Sequence, residues 1–213
     1  MARGAEQGSA ERAGRCYARA SGAVSNMSKS DEHLVGQRLE SARLILQPHV
    51  CEDFSEVAAL WRDPEVTRFI GGRPFGAEES WTRLLRYIGH WAALGFGYWT
   101  IRERDSGRFV GEVGLAEYRR EIEPGFNGAP EIGWALAPSA WGRGYAVEAV
   151  RTALAWADVR FGGARTVCII SPENTASIVV AQKCGYALTG TALYRGADIQ
   201  VYARDGQDAS RGA

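Results

Sequence analysis

From about Arg43 onward the apolar residues recur with strand and helix periods, and before it they scarcely recur at all. Leu44-Ile45-Leu46, closed by Pro48, predicts a strand. Phe54, Val57, Ala58 and Trp61 follow at helical spacing, and Asp63-Pro64 ends that helix. After the loop signals Gly71-Gly72 and Pro74, a second helix is predicted from Ala77 to Leu94, with Trp81, Leu84, Ile88 and Trp91 on one stripe. Two strands, Tyr98 to Arg104 and Arg108 to Tyr118, flank Asp105-Ser106-Gly107, a turn suited to a hairpin because Gly tolerates positive φ. A polar loop over residues 119–129 leads into Glu131 to Ala137, where Ile132, Trp134 and Leu136 alternate with Glu131, Gly133 and Ala135. A helix from Gly144 to Phe161 carries Val147, Val150, Leu154, Ala157 and Phe161 at spacings of 3 and 4. Strand Thr166 to Ile170, helix Asn174 to Cys184 and a strand pair reaching Arg204 complete the pattern.

The ends read differently. Residues 1–37 are rich in Ala, Gly, Ser and Arg and lack a sustained period, so they cannot bury enough apolar surface to offset their ordering entropy. A disordered extension is expected there, an ordered domain over 38–204 and a flexible tail over 205–213. Met27 is an alternative start.

Composition changes this picture little. Of 213 residues, 46% are hydrophobic and 23% charged, ordinary globular values for one domain. The 25 basic and 25 acidic residues cancel, which removes the usual electrostatic reason to propose nucleic acid as a partner. No apolar run approaches the roughly 18 residues that span a bilayer. The four cysteines, Cys16, Cys51, Cys168 and Cys184, form no CxxC pair, and His33, His49 and His90 are scattered, so no zinc site is expected. Buried reduced thiols and a cytoplasmic setting fit that usage.

One junction carries chemistry. A strand ends at Ala137, and a long helix begins after Pro138-Ser139-Ala140-Trp141-Gly142-Arg143-Gly144. The first N–H groups of a helix lack intrahelical partners, and the helix dipole adds positive potential there. Gly142 and Gly144, without Cβ atoms, let an anion approach the backbone, and Arg143 adds a charge, so the junction reads as a pyrophosphate site. Taken alone, the same glycines also suit a plain tight turn. The third glycine of a dinucleotide fingerprint is replaced by Val147, and the Gly-Lys-Ser/Thr of a P-loop is absent.

The turn is similar to the Arg/Gln-x-x-Gly-x-Gly/Ala signature of the GCN5-related N-acetyltransferases, the GNAT family, with Trp141 in its first position. Ser41-Ala42-Arg43-Leu44-Ile45-Leu46, Asp63-Pro64-Glu65-Val66, Glu131-Ile132-Gly133-Trp134, the run Trp141 to Ala149, Asn174-x-x-Ser177 and Lys183-Cys184-Gly185-Tyr186 resemble the branch that holds RimJ and RimL, ribosomal-protein N-terminal acetyltransferases. The resemblance spans residues 38–204. It implies an α/β (α+β) single domain: a twisted, mixed, mostly antiparallel sheet of about six to seven strands flanked by about four helices. Two central strands, Glu131–Ala137 and Thr166–Ile170, splay to admit the pantetheine arm of acetyl-CoA. Gly142, Arg143, Gly144, Tyr145 and Ala146 would then hold the pyrophosphate, with Trp141, Leu136 and Asn174 also against the cofactor.

The resemblance also implies direct acetyl transfer to a primary amine, with no metal. A backbone N–H near Leu136 is the oxyanion candidate. Glu131, acting through water, is the leading base and Glu112 the alternative. Many members carry a Tyr where this chain has Ala181, so Ser177 is the candidate acid. Asn174 and Ser177 equally suit the start of a helix as cap residues. The acceptor is either a peptide N-terminus, favoured here for a small first residue such as Ala or Ser, or a small molecule such as a polyamine or aminoglycoside. The missing Tyr leaves a non-catalytic acyl-CoA-binding module as a further reading, and monomer and homodimer are both open.

Overall fold

The computed structural model describes residues 37–123, 125–126 and 128–207. The expectations for the N-terminal extension, Met27 and the C-terminal tail fall largely outside these residues. Eight strands form one sheet in the order β1 (Leu39–Glu40), β2 (Leu44–Pro48), β3 (Tyr98–Glu103), β4 (Phe109–Ala116), β5 (Glu131–Leu136), β6 (Thr166–Ile170), β8 (Ala197–Arg204) and β7 (Ala187–Tyr194). Every pairing is antiparallel except β5 with β6. The strand beyond the expected seven is β1, a two-residue piece against β2. Among the described residues five α-helices flank the sheet: α1 (Phe54–Arg62), α2 (Pro64–Thr67), α3 (Ala77–Leu94), α4 (Tyr145–Arg160) and α5 (Thr175–Lys183). The extra one, α2, is a single turn that Asp63 starts by accepting the Glu65 N–H, with Pro64 at its first position.

Strand alternation sorts the two faces. Leu44, Leu46, Trp99, Ile101, Val113, Leu115, Ile132 and Leu136 share one core with α4. The stripe α4 buries differs from the one its larger residues suggest. Ala149, Ala153 and Ala157 are buried with Val150 and Leu154, whereas Val147 and Phe161 are half-buried. Small side chains let the helix axis approach the sheet closely, so the alanines carry the contact. The opposite face presents Thr100, Glu112, Gly114, Gly133 and Ala135 toward α1 and α3, where Val57, Leu60, Trp61 and Leu84 form a second core with Ala135.

The parallel pair gives the sheet its functional geometry. The β5–β6 register contains one pair, Glu131 with Val167, reinforced by the Val167 N–H donating to the Pro130 carbonyl at 3.0 Å. Beyond it the strands diverge, as the splay expectation required. Among the described residues no helix is long and apolar enough to cross a membrane, and no group of three His, Cys, Asp or Glu could hold a metal ion.

Candidate active site

The junction between β5 and α4 is a glycine turn that opens onto free space. After β5 a short 3-10 turn (Pro138–Ala140) leads to Gly142 and Gly144, with φ of 72° and 77°, a backbone region that side chains rarely adopt. A Cβ on Gly142 would meet nothing within 4 Å, and one on Gly144 only the Arg43 guanidinium at 3.5 Å. Space above the turn is open. Among the described residues, the N–H groups of Gly142, Arg143, Gly144, Tyr145 and Ala146 find no backbone acceptor.

Side chains around this turn are cross-linked. Arg43 forks onto Glu148, with Nε at 2.7 Å, and donates Nη1 to the Arg143 carbonyl at 3.0 Å. Arg143 pairs with Glu103 at 2.7 Å, and the Tyr145 hydroxyl donates to the same Glu103 oxygen at 2.8 Å. Both guanidinia lie 4.7 Å from the centroid of the Tyr145 ring. Hydrogen bonds from Arg108, Ser106 and Tyr145 hold the Glu103 carboxyl well below the usual carboxylate range. With Arg108, three cations face two carboxylates here, a positive surplus suited to phosphate. Neither Arg43 nor Glu103 was expected from the sequence. Arg43, in the bend before β2, and Glu103, at the end of β3, reach the turn from about 100 and 40 residues away, and spacing along the chain carries no trace of that.

Leu136, Trp141, Gly142, Arg143, Gly144, Tyr145 and Ala146 therefore come together at one end of the cleft. Trp141, 48% exposed, donates its Nε1 to the Leu136 carbonyl at 2.8 Å. The Ala137 N–H bonds Val110 on the β4 side, so by alternation the N–H groups of Trp134 and Leu136 point away from β4, toward the splay. The other wall is β6 with the start of α5. There Asn174 accepts the Ser177 N–H at 3.1 Å, the capping role its position suggests. The Ser177 hydroxyl has no hydrogen-bond partner among the described residues. Ala181 is fully buried, and the nearby Tyr186 hydroxyl is tied to Thr166 at 2.6 Å.

Glu131 sits at the far end of β5, where the two strands still touch, roughly 17 Å from Leu136 by strand rise. It is 5% exposed, and Arg120 clamps both its oxygens, at 2.5 and 2.6 Å. Burial would lower the Arg120 pKa, but the Glu131 bond and charge outweigh it and raise it above the usual range. Glu112, on the same face, is fully buried. Its oxygens take His49 Nε2 at 3.0 Å and Trp61 Nε1 at 2.9 Å. Tyr98 lies across Gly114 and Gly133, and a Cβ on Gly133 would fall 2.2 Å from its hydroxyl. Burial first, then the Tyr118 and Tyr87 phenols, push the Tyr98 phenol well above its ordinary value.

Residues 43–187 match the family described as "Acetyltransferase (GNAT) domain". A solved structure of a GNAT-family acetyltransferase from Bordetella pertussis is 32% identical, covers 79% of this chain and 99% of its own, and superposes with a TM-score of 0.71. The FsC-acetyl coenzyme A-N(2)-transacetylase of Aspergillus fumigatus is 32% identical over 152 residues, 69% of this chain and 63% of that one. The RimL ribosomal alpha-N-protein acetyltransferase in complex with coenzyme A shares the fold at 21% identity, with a TM-score of 0.63 over 79% of this chain and 98% of its own.

Proposed function

This chain belongs to the GNAT family of acetyltransferases, and from that premise we propose that it acetylates an α-amine, that of a peptide N-terminus, by direct attack. The reaction class is acetyl-CoA-dependent N-acetylation. The chain's own features fit the cofactor: free N–H groups over open space at Gly142 to Ala146 for the pyrophosphate, and an unpaired β5 edge for the pantetheine amides. Bound there, acetyl-CoA supplies an activated acyl group.

The residues then divide the work. Trp141 and Arg143 border the turn. The Leu136 N–H is directed into the cleft beside the turn, where it can donate to a pantetheine carbonyl, while the thioester would lie farther along β5 toward Glu131. Asn174 orders the first turn of α5, and the Ser177 hydroxyl is left to hydrogen-bond on the sulfur side. Glu131 receives the amine's proton through water, at the expense of one of its Arg120 bonds.

The observation that carries the α-amine reading is the engagement of both carboxylates on the acceptor face, Glu131 by Arg120 and Glu112 by His49 and Trp61. A site whose bases are so occupied favours an amine that is already partly neutral. With a pKa of about 8, roughly a tenth of an α-amine is neutral at pH 7, against less than about a thousandth of a lysine side chain at about 10.4. The motif resemblance to the RimJ and RimL branch supports a peptide terminus. Similarity to the fungal transacetylase favours a small-molecule amine as the second reading.

Mass-spectrometric competition between a peptide with a free N-terminus and an N-blocked twin containing lysine decides between acceptors. Acetylation of the free terminus is expected. Modification of lysine alone, or of polyamines or aminoglycosides while both peptides stay unmodified, would leave a different acceptor class.

A further inference from the structure

Among the described residues Arg83, beside the proposed acceptor site, forms no ion pair. Arg83, half-buried on α3, lies 3.8 Å from the centroid of the Trp61 ring, with Phe75 at 5.0 Å. Its Nη1 donates to the Tyr87 hydroxyl at 3.0 Å. Among the described residues no carboxylate comes within 4 Å of it, although a guanidinium has five donors to place.

Neighbouring charges do not balance it. Glu131 is spent on Arg120. His49 Nδ1 lies 3.2 Å from the Tyr98 carbonyl. Its Nε2 lies 3.0 Å from Glu112. Both Glu112 oxygens are thereby engaged, one by His49 and the other by Trp61 Nε1 at 2.9 Å. Arg86, over Tyr118 at 5.3 Å, adds a second guanidinium with no carboxylate within 4 Å among the described residues. The face is net positive, a poor host for a polycation.

Position gives this charge a purpose. The Tyr87 ring stacks on Tyr98 at 4.3 Å, and the Tyr98 hydroxyl overlies Gly133 of β5. Arg83 thus stands two rings from the strand that borders the cleft. An Arg fork on aromatic faces matches the planar, bidentate shape of a carboxylate.

We propose that the acceptor is a peptide whose first residue is acidic, and that Arg83 binds its side-chain carboxylate. This rests on the α-amine reading and replaces the preference for a small first residue.

The test uses the full chain and three peptides identical except for Asp, Asn or phosphoserine at position one. Expected is a kcat/KM for the Asp peptide about tenfold or more above its Asn isostere, the range of one charge-assisted hydrogen bond. The difference should lie mainly in KM. In Arg83→Gln the ratio should collapse toward one, while a coenzyme A thermal shift reports that the fold and cofactor site persist. Arg83→Lys, which keeps the charge without the fork, should retain only part of the ratio, and it carries the test if the Gln variant does not fold. Equal wild-type rates, a ratio that survives both substitutions, or phosphoserine preferred over Asp overturns the proposal while leaving the α-amine reading intact. If neither Asp nor Asn peptide reacts and another amine does, the α-amine reading falls and the proposal falls with it.

Discussion

Both oxygens of Glu131 are occupied by nitrogens of one guanidinium, and this governs what substitution there does. With Glu131→Gln the turnover number should drop at neutral pH, coenzyme A affinity should hold, and the loss should shrink at high pH, where free amine is abundant. A loss that stays constant with pH, and that Arg120→Gln reproduces, would assign Glu131 to holding Arg120 rather than to proton transfer. At this scale the sequence was readable where a residue acts through its own backbone. Gly142 and Gly144 fall in that class, and their positive φ follows from the turn they make. Glu131, Arg120, Arg83 and His49 act through partners supplied by folding. Alternation could say that Glu112 and Glu131 share a face, but not that His49, Trp61 and Arg120 would enclose them.

Among the elements, the hairpin of β3 and β4 is stitched to the start of α4 by Glu103, which takes Arg108, Arg143 and Tyr145. Because its folded pKa is depressed, the stability it contributes is present above its unfolded value of about 4.3 and is lost as pH falls below that toward the lower folded value. Melting temperatures of wild type and Glu103→Gln should therefore differ at pH 7 and converge between about pH 5 and pH 2. A gap that stays constant across that range would mean that packing, not charge, accounts for the effect. Strands and long helices were legible because period 2 and period 3.6 are strong local signals. The buried stripe of α4 was less so: large residues mark a face by size, whereas Ala149, Ala153 and Ala157 mark it by how closely the helix approaches the sheet. The one-turn α2 was missed because Asp63-Pro64, read as a stop, also starts a new helix.

In the whole molecule, one pairing sets the function. Six of the seven pairings in the sheet hold two or more residue pairs, yet β5 and β6 share a single pair, and the opening that results ends at the open turn of Gly142 and Gly144. The order of elements made that splay readable once the family resemblance was recognised, because motif order survives when contacts do not show in sequence. The proposed acceptor side, bordered by α1, α3 and the ends of β3 to β5, has no such motif, and its charge balance emerges only in three dimensions. The claim on which the rest depends is that the β5–α4 turn holds the cofactor. Calorimetric titration of coenzyme A into wild type and Gly144→Val tests it directly, with the ligand-free melting temperature confirming that the variant is folded. Gly144→Val is expected to lose about 100-fold or more in affinity, the equivalent of one or two charge-assisted backbone bonds. Unchanged affinity in a folded Gly144→Val would contradict that claim.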